Sequence, residues 1–228
     1  MASFTRALVA IVIVVFAPLV DAAPVQAQSF AIAGQVGTTG VGGGIVYGLT
    51  SRINVRAMYG IIPGNPSGNI DDIDFALSVP SFLLTTVDLY PMGSLHFSVG
   101  GLLISDDGAM DVVGTWEGRQ VDFAGTIYTG GVDDRLIGSF SLKRFQPYVG
   151  VGIGNPVGKR FSINFDAGVG FGSTPVVALT AEGPIAEDPV TGPIFLAQLD
   201  QEVANIQADI PELLKYYPVL SISVSIGL

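Results

Sequence analysis

Polar and charged side chains recur at every second position within several apolar segments of this 228-residue chain. Successive residues of a β-strand point to opposite faces, so side chains two residues apart share a face. We therefore predict that these polar side chains line the lumen of a β-barrel. The candidate lumen residues are Arg52, Asn54, Arg56, Asp88, His96, Arg160, Asn164 and Asp166.

Two roles are open to these lumen residues. Unpaired buried charges are costly, so arginine and aspartate side chains in a narrow barrel are expected to pair and fill the interior. The expected members of this network are Arg56, Asp88, Arg160 and Asp166, with Arg56 and Asp88 on neighbouring strands. The alternative is a charged constriction that selects solutes.

Catalysis is a weaker interpretation of the same residues. His96 is the single histidine of the chain, and Ser98 shares its strand face. An acyl-transfer site needs a nucleophile, a base and a group that orients the base, and the sequence suggests no such set. The chain has no cysteine, and its aspartate clusters, such as Asp71, Asp72 and Asp74, lack the spacing of an EF-hand. We predict no enzyme activity, no cofactor and no metal site.

The strand pattern is clearest in residues 161–172, where odd positions are apolar and even positions are small or polar. An asparagine, an aspartate and three glycines on one face suit a polar lumen, with the large apolar side chains facing lipid. Residues 95–103 and 220–228 repeat the pattern. We therefore predict a transmembrane β-barrel. The residues expected to face lipid include Phe97, Val99, Ile163, Phe165, Ile222 and Val224.

The composition agrees with a membrane protein. Hydrophobic residues make up 49% of the chain and charged residues 13%, whereas about a quarter of the residues of a soluble domain are charged. The formal net charge of −10 argues against a nucleic-acid partner.

The N-terminal segment resembles a secretory signal. Arg6 precedes an apolar run at residues 7–20, and small residues follow it. We predict that residues 1–27 are removed after Ala27, with cleavage after Ala22 as the alternative, and that residues 28–228 form the barrel. No later apolar run is as long. A protein that spans a membrane without an apolar helix must close its strands into a barrel.

Turn signals and polar stretches divide the remaining sequence into strands. Short connections lie near residues 48–52, 91–94 and 155–159, and we assign these to the periplasm. Long connections at 63–74, 106–143 and 173–217 are then extracellular. The strands that they bound are residues 41–49, 52–61, 75–90, 95–105, 145–154, 160–172 and 218–228.

An even strand number is typical of single-chain bacterial barrels. Residues 30–36 can supply an eighth strand if residues 37–40 form a tight turn. The alternative is one long strand that bends at Gly37 and Gly40, with a further strand supplied from residues 106–143. The predicted fold is an all-β, eight-stranded antiparallel transmembrane barrel with long extracellular loops.

Two long connections carry further elements. Residues 111–116 and 119–128 flank Glu117 and Gly118, which predicts a hairpin in the region 106–143. An amphipathic helix is expected at about 193–216, packed over the barrel mouth or against loop hairpins rather than against a partner. Its apolar residues recur at steps of three and four, and they are Leu196, Leu199, Val203, Ile206, Ile210 and Leu213.

Acidic residues are concentrated in the long connections. Of the 20 acidic residues, Asp21 lies in the signal and Asp88 and Asp166 lie in strands, which leaves 17 in the three loops. Such an outer vestibule would attract cations. The alternative is that the acidic loops keep the exposed end soluble.

Several short motifs resemble one protein family. They are VGTTGVGG at residues 36–43, PYVGVG at 147–152, GNP at 154–156, FDAGV at 165–169, STPVVALT at 173–180 and YPV at 217–219. In this order they resemble the small bacterial outer-membrane proteins that include the carbapenem-associated outer-membrane proteins, also called ornithine-uptake porins. The resemblance implies an eight-stranded barrel and, for some members, passage of small basic amino acids. The chain departs from most outer-membrane barrels by ending in Leu228 rather than an aromatic residue.

These observations predict a small outer-membrane barrel that admits small cationic solutes through an acidic vestibule. The alternative is a closed barrel that serves as a structural or adhesive surface platform. The expected partners are the outer-membrane bilayer, the outer-membrane assembly machinery and small cationic solutes, and the expected state is a monomer.

Overall fold

The computed structural model describes residues 29–64, 67–70, 73–105, 109–123 and 125–228. The predicted signal peptide, with both candidate cleavage sites, lies outside the described residues, as do Asp71 and Asp72. The helices are α1 (Pro184–Glu187) and α2 (Gly192–Asp209), and a 3₁₀ helix spans Glu212–Lys215. The strands, in chain order, are β1 (Phe30–Gly37), β2 (Gly40–Thr50), β3 (Ile53–Ile61), β4 (Ser67–Ile70), β5 (Ile73–Ser78), β6 (Phe82–Met92), β7 (Leu95–Ile104), β8 (Ala109–Thr115), β9 (Gln120–Phe123), β10 (Thr126–Thr129), β11 (Arg135–Ser141), β12 (Phe145–Ile153), β13 (Ser162–Phe171), β14 (Val176–Glu182) and β15 (Tyr216–Gly227).

Eight strands close into an antiparallel barrel in the order β1-β15-β13-β12-β7-β6-β3-β2, which confirms the predicted fold. The first and last strands pair with each other, from Ala31 opposite Gly227 to Gly37 opposite Ser221. One end of the barrel, the turn end, carries the short connections after β2, β6 and β12. The other end, the loop end, carries the remaining strands and the helices.

The connection between β1 and β2 is a tight turn, as predicted. The two strands pair as far as Gly37 opposite Gly40, so only Thr38 and Thr39 lie between them. Gly40 has a φ of 87°, a conformation that a residue with a Cβ rarely adopts. The alternative of one bent strand is therefore wrong.

The predicted strand at residues 75–90 is also wrong, because the chain leaves the barrel between β5 and β6. Pro80 lies in this break and has no N–H group to continue a strand ladder. β6 belongs to the barrel, whereas β5 pairs with β4 and β8 in a separate sheet.

The predicted sidedness of the barrel strands is confirmed. The six apolar residues assigned to the exterior are exposed on the outer face; Phe165, for example, is 54% exposed. The neighbouring Asn164 is fully buried in the lumen. Among the described residues, no helix is both long enough and apolar enough to cross a membrane.

A five-stranded sheet at the loop end, here called the loop sheet, has the order β14-β11-β8-β5-β4. The predicted hairpin around Glu117 and Gly118 is wrong, because β8 pairs with β11 and β5, and β9 pairs with β10. The two residues instead form a turn in which the N–H of Arg119 donates to the carbonyl of Trp116. The alternating sequence indicated strands in this region, but it did not indicate which strands pair with each other.

The helix α2 packs against this loop structure, as predicted. Its buried side chains Phe195 and Leu199 join Trp116 and Phe123 in what we call the loop cluster. The predicted helix was too long: α2 ends at Asp209 because Ile210 is extended and Pro211 follows it. Three stripe residues do not pack as predicted, since Leu196 and Ile206 are exposed and Leu213, in the 3₁₀ helix, is 74% exposed.

Candidate functional site

Side chains of three kinds fill the barrel lumen in successive layers, because the inward residues of β6, β7, β13 and β15 change in polarity along each strand. From the loop end, β6 presents Phe82 and Leu84, and then Thr86 and Asp88. The layer nearest the loop end is apolar, the central layer is charged, and the layer nearest the turn end is polar and neutral. The charged layer consists of Arg56, Thr86, Asp88, His96, Ser98 and Asp166.

Arg56 and Asp88 form the first ion pair of the charged layer. The two residues lie on the adjacent strands β3 and β6, as predicted, and Arg56 Nε is 3.1 Å from Asp88 Oδ2. A second guanidinium nitrogen, Nη2, donates to Asp88 Oδ1 at 3.3 Å. Nε itself donates to Thr86 Oγ1 at 3.4 Å, so Asp88 and Thr86 together hold the guanidinium group on this side of the lumen.

Two hydroxyl groups complete the environment of Asp88. Thr86 Oγ1 and Ser98 Oγ donate to Asp88 Oδ1 at 2.8 and 2.7 Å, respectively. Asp88 is fully buried, so these contacts replace the water that a carboxylate would otherwise bind.

Arg56 also pairs with Asp166, which projects from β13. Arg56 Nη1 and His96 Nε2 each lie 2.9 Å from Asp166 Oδ1. β13 is not adjacent to β3, so this ion pair crosses the lumen. The charged layer is therefore one connected network anchored on β3, β6, β7 and β13.

The neutral polar layer is centred on Asn164. Asn164 Nδ2 donates to Ser223 Oγ and Ser225 Oγ, both at 3.3 Å, and Ser162 Oγ donates to Asn164 Oδ1 at 3.1 Å. These four side chains link β13 to β15 by hydrogen bonds inside the lumen. They are consequently packed rather than free to contact solutes.

The apolar layer closes the lumen toward the loop end. Leu102 is fully buried at its centre, and partly buried Met110 and Phe140 extend the layer into the loop sheet. The layer is a packed hydrophobic cluster of the kind found in protein cores. Its buried residues are Phe82, Leu84, Leu102, Ile104, Leu142, Tyr148 and Val219.

Inward glycines do not leave the lumen empty, since larger side chains occupy the space beside them. Gly150 and Gly168 are cross-strand partners, and a Cβ on either would collide with the ring or hydroxyl of Tyr148. A Cβ at Gly152 would likewise collide with the imidazole of His96. These glycines therefore make room for aromatic side chains.

Six of the eight predicted lumen residues point inward, and two do not. Arg52 and Arg160 are exposed in the short connections before β3 and β13, so placing them in the lumen, and Arg160 in the network, was wrong. The strands begin one or two residues later than predicted, at Ile53 and Ser162. The alternation of inward and outward side chains applies only within a strand, so it does not predict where side chains in the connections point.

The remaining predicted residues lie where the alternation placed them. Arg56, Asp88, His96 and Asp166 meet in one network, and Asn164 belongs to the polar layer. Asn54 is buried near the turn end, where its Nδ2 donates to Asn155 Oδ1 at 3.2 Å.

The prediction missed two lumen residues on β12, Gln146 and Tyr148, which are both buried. The alternation of the sequence could have identified them, because both lie on the same face of β12 as Gly150 and Gly152. Asp134 was also missed: it is buried in the loop structure and accepts hydrogen bonds from the N–H groups of Gly131 and Ile185 at 2.7 and 3.0 Å.

The chemistry of the charged layer is ion pairing. His96 contacts Asp166, whereas Ser98 donates to Asp88, so these two side chains are held by different carboxylates. Among the described residues, no group of three or more histidine, aspartate or glutamate side chains could hold a metal ion.

The fold and the layered lumen define a small closed antiparallel barrel with an apolar exterior and an interior that is polar or charged in two of its three layers, the architecture of transmembrane β-barrels. The chain shares this fold with CarO, the carbapenem-associated outer-membrane protein, as the sequence motifs predicted. The crystal structure of Acinetobacter baumannii CarO matches with a TM-score of 0.55 and 19% identity, over 88% of this chain and 98% of that one. Acinetobacter baumannii CarO2 matches with the same TM-score and identity, over 87% of this chain and 98% of that one. No protein-family model and no curated protein matches the sequence.

Proposed function

We propose that this protein is a closed outer-membrane barrel that serves as a structural platform for the loop sheet and α2 on the cell surface. The observation that carries the proposal is the obstruction of the lumen at two levels. The apolar layer fills the loop end, and the Arg56–Asp166 ion pair crosses the centre. An eight-stranded barrel is narrow enough for interior side chains to fill it.

The apolar exterior and the length of the connections support the location and the orientation. Exposed phenylalanine, isoleucine and valine side chains cover the outer face of the barrel strands, as lipid contact requires. The loop sheet would then be extracellular, and the short connections periplasmic. Each barrel strand is paired on both sides, so no barrel edge is offered to a second copy, and we propose a monomer that the outer-membrane assembly machinery inserts.

Planar-bilayer recording of the refolded protein tests the closed barrel. We expect no steady conductance from the native chain. Leu102→Gly removes a fully buried side chain from the apolar layer, and Leu103→Gly is the matched control because Leu103 points outward. Steady single-channel conductance of the native protein would contradict the proposal, whereas brief openings confined to Leu102→Gly would agree with it.

Passage of small cationic solutes is the second candidate function. It is favoured by buried polar atoms for which no hydrogen-bond partner is found among the described residues, including Tyr148 Oη, His96 Nδ1 and Asp166 Oδ2 in the lumen. These atoms could bind water or a solute amine if the apolar layer rearranged. Uptake of lysine or ornithine into liposomes is the test. Uptake that Asp166→Asn abolishes would favour passage, and absence of uptake by the native protein would exclude it.

We propose no catalytic role for the lumen. The contact of His96 with Asp166 is instead proposed to hold the carboxylate in place for Arg56. Measured lipid hydrolysis that His96→Gln abolished, with the barrel still folded, would contradict this assignment.

A further inference from the structure

A cavity lies outside the barrel, on the inner face of the loop sheet. It has a volume of about 560 Å³. Its walls come from four strands of the sheet and from α2, and nearly all of them are apolar. The principal lining side chains are Phe75, Leu77, Val112, Phe140, Leu179 and Ile206.

The pairing of the strands explains why this face is apolar. Leu77, Val112, Gly138 and Leu179 are aligned across β5, β8, β11 and β14, so they share one side of the sheet. The residues between them, such as Asp111 and Thr180, point to the opposite side. Alternation thus gives the loop sheet a polar outer face and an apolar inner face.

Packed clusters fix the position of the cavity at both ends. Leu136 and Leu179 pack against the loop cluster, and Phe140 packs against the apolar layer of the lumen. On the β14 side, Gln207 of α2 accepts from the N–H of Val177 at 3.0 Å and donates to the carbonyl of Pro175 at 3.0 Å. The walls are therefore held in place by hydrogen bonds and core packing.

The cavity is open enough for a ligand. Its lining side chains are only partly buried, and Ile206 at its rim is 37% exposed. Gly138 lies on the floor, where a Cβ would meet Leu179 Cδ2 at 3.2 Å. Ligand pockets typically enclose about 300–1,000 Å³ and are lined mainly by apolar side chains, and this cavity falls within that range.

The charged residues around the cavity indicate which kind of ligand it would bind. The three long connections between barrel strands hold 17 acidic residues and five basic ones, Arg119, Arg135, Lys143, Arg144 and Lys215. Glu202 and Asp209 lie one turn before and after Ile206, and α2 contains no lysine or arginine. Arg135 lies on the outer face of the sheet, and Arg119 pairs with Asp74 at 3.2 Å. The negative potential near the rim favours a cationic group.

We propose that this cavity binds a small amphipathic cation, with its apolar part between the loop sheet and α2 and its charged group near Glu202 and Asp209. The apolar lining would take the hydrophobic part, and the acidic rim would reject an anionic head such as a carboxylate. This binding function goes beyond the platform role and does not depend on whether the lumen is closed.

Calorimetric titration of the mature chain in lipid nanodiscs tests the proposal, with empty nanodiscs as the reference for partition into lipid. The probes are octyltrimethylammonium and octanoate, which share a chain length and differ in charge. We expect saturable binding of octyltrimethylammonium and about tenfold weaker binding of octanoate, or none. No saturable binding of the cation, or binding of octanoate that is as tight, would overturn the proposal.

Two variants test whether the cation binds in this cavity. Gly138→Leu fills the floor, and Ala178→Leu adds the same side chain to the exposed outer face of the sheet. We expect Gly138→Leu to weaken cation binding by about tenfold or more and Ala178→Leu to leave it unchanged. If Gly138→Leu does not fold, Val112→Phe is used in its place. Native affinity in a folded cavity-filling variant would overturn the assignment.

Discussion

Arg56 and Asp166 lie four strands apart in either direction around the eight-stranded barrel, yet their side chains are 2.9 Å apart. The two residues are thus at opposite ends of a barrel diameter. Their ion pair therefore spans the lumen and does not join neighbouring strands.

Asp88→Ala should destabilise the barrel strongly, because it removes one of the two buried carboxylates that pair with Arg56. Removal of one member of a buried ion pair costs about 3–5 kcal/mol. The control is Asp111→Ala, since Asp111 is exposed in the loop sheet and such substitutions change stability by about 0.5 kcal/mol or less. Urea unfolding in lipid vesicles measures both variants. Equal losses would mean that the lumen charges are individually solvated.

Gly150→Ala should destabilise the barrel by a different route, because the new Cβ collides mainly with the ring and hydroxyl of Tyr148. Overpacking of this kind typically costs about 1–3 kcal/mol. Tyr148→Ala alone should also be destabilising, since it opens a cavity. The double variant should be more stable than the sum of the two single losses predicts. Strictly additive losses in the unfolding free energies would contradict the proposed contact.

Phe165→Arg tests the membrane exposure of the outer face. Phe165 projects from the exterior of β13, and an arginine near the bilayer midplane costs about 2–4 kcal/mol in a transmembrane barrel. Phe165→Leu keeps the position apolar and should have a small effect. The folded fraction in vesicles, read from the heat-modifiable mobility of the barrel, gives the comparison. Similar folding of both variants would argue against lipid contact at this face.

Acidification should weaken the start of α2 through Asp188. The N–H groups of Thr191 and Val190 donate to the carboxylate at 2.7 and 2.9 Å and hold its pKa below the ordinary value. A carboxyl whose pKa is lowered by folding contributes stability above its unfolded pKa, about 3.9, and loses it as the pH falls through the folded pKa.

Asp188→Asn removes this titration. The difference between the native chain and Asp188→Asn in amide-exchange protection of α2 should be largest near neutral pH and shrink below about pH 4. Asp200→Asn, in the middle of the same helix, is the matched control. A difference that does not change with pH would exclude the carboxylate as its source.

The sequence predicted the barrel well because alternation is a local property. A residue such as Asn164 between Ile163 and Phe165 is enough to assign the inward and outward faces of β13. Arg52 and Arg160 were misplaced because the same rule was extended into turns. The contact between Arg56 and Asp166 also required knowledge of which strands face each other, and this follows only from closure of the barrel.

The loop sheet was not predictable in the same way. Its strands were partly visible, but β11 pairs with β14 across more than 30 residues of sequence, as in Ile137 opposite Thr180. The pattern around Glu117 and Gly118 suggested the nearest partner, whereas burial of the apolar inner face favours a more distant one. Local turn signals therefore gave the wrong hairpin.

The loop sheet draws its strands from distant parts of the chain. Its strands come from three separate connections: β4 and β5 lie between β3 and β6, β8 and β11 between β7 and β12, and β14 between β13 and β15. In the unfolded chain these segments are far apart, and bringing them together carries a loop-closure cost. Barrel closure holds the three connections at one rim and raises their local concentration. We therefore expect the barrel to close before the complete loop sheet forms.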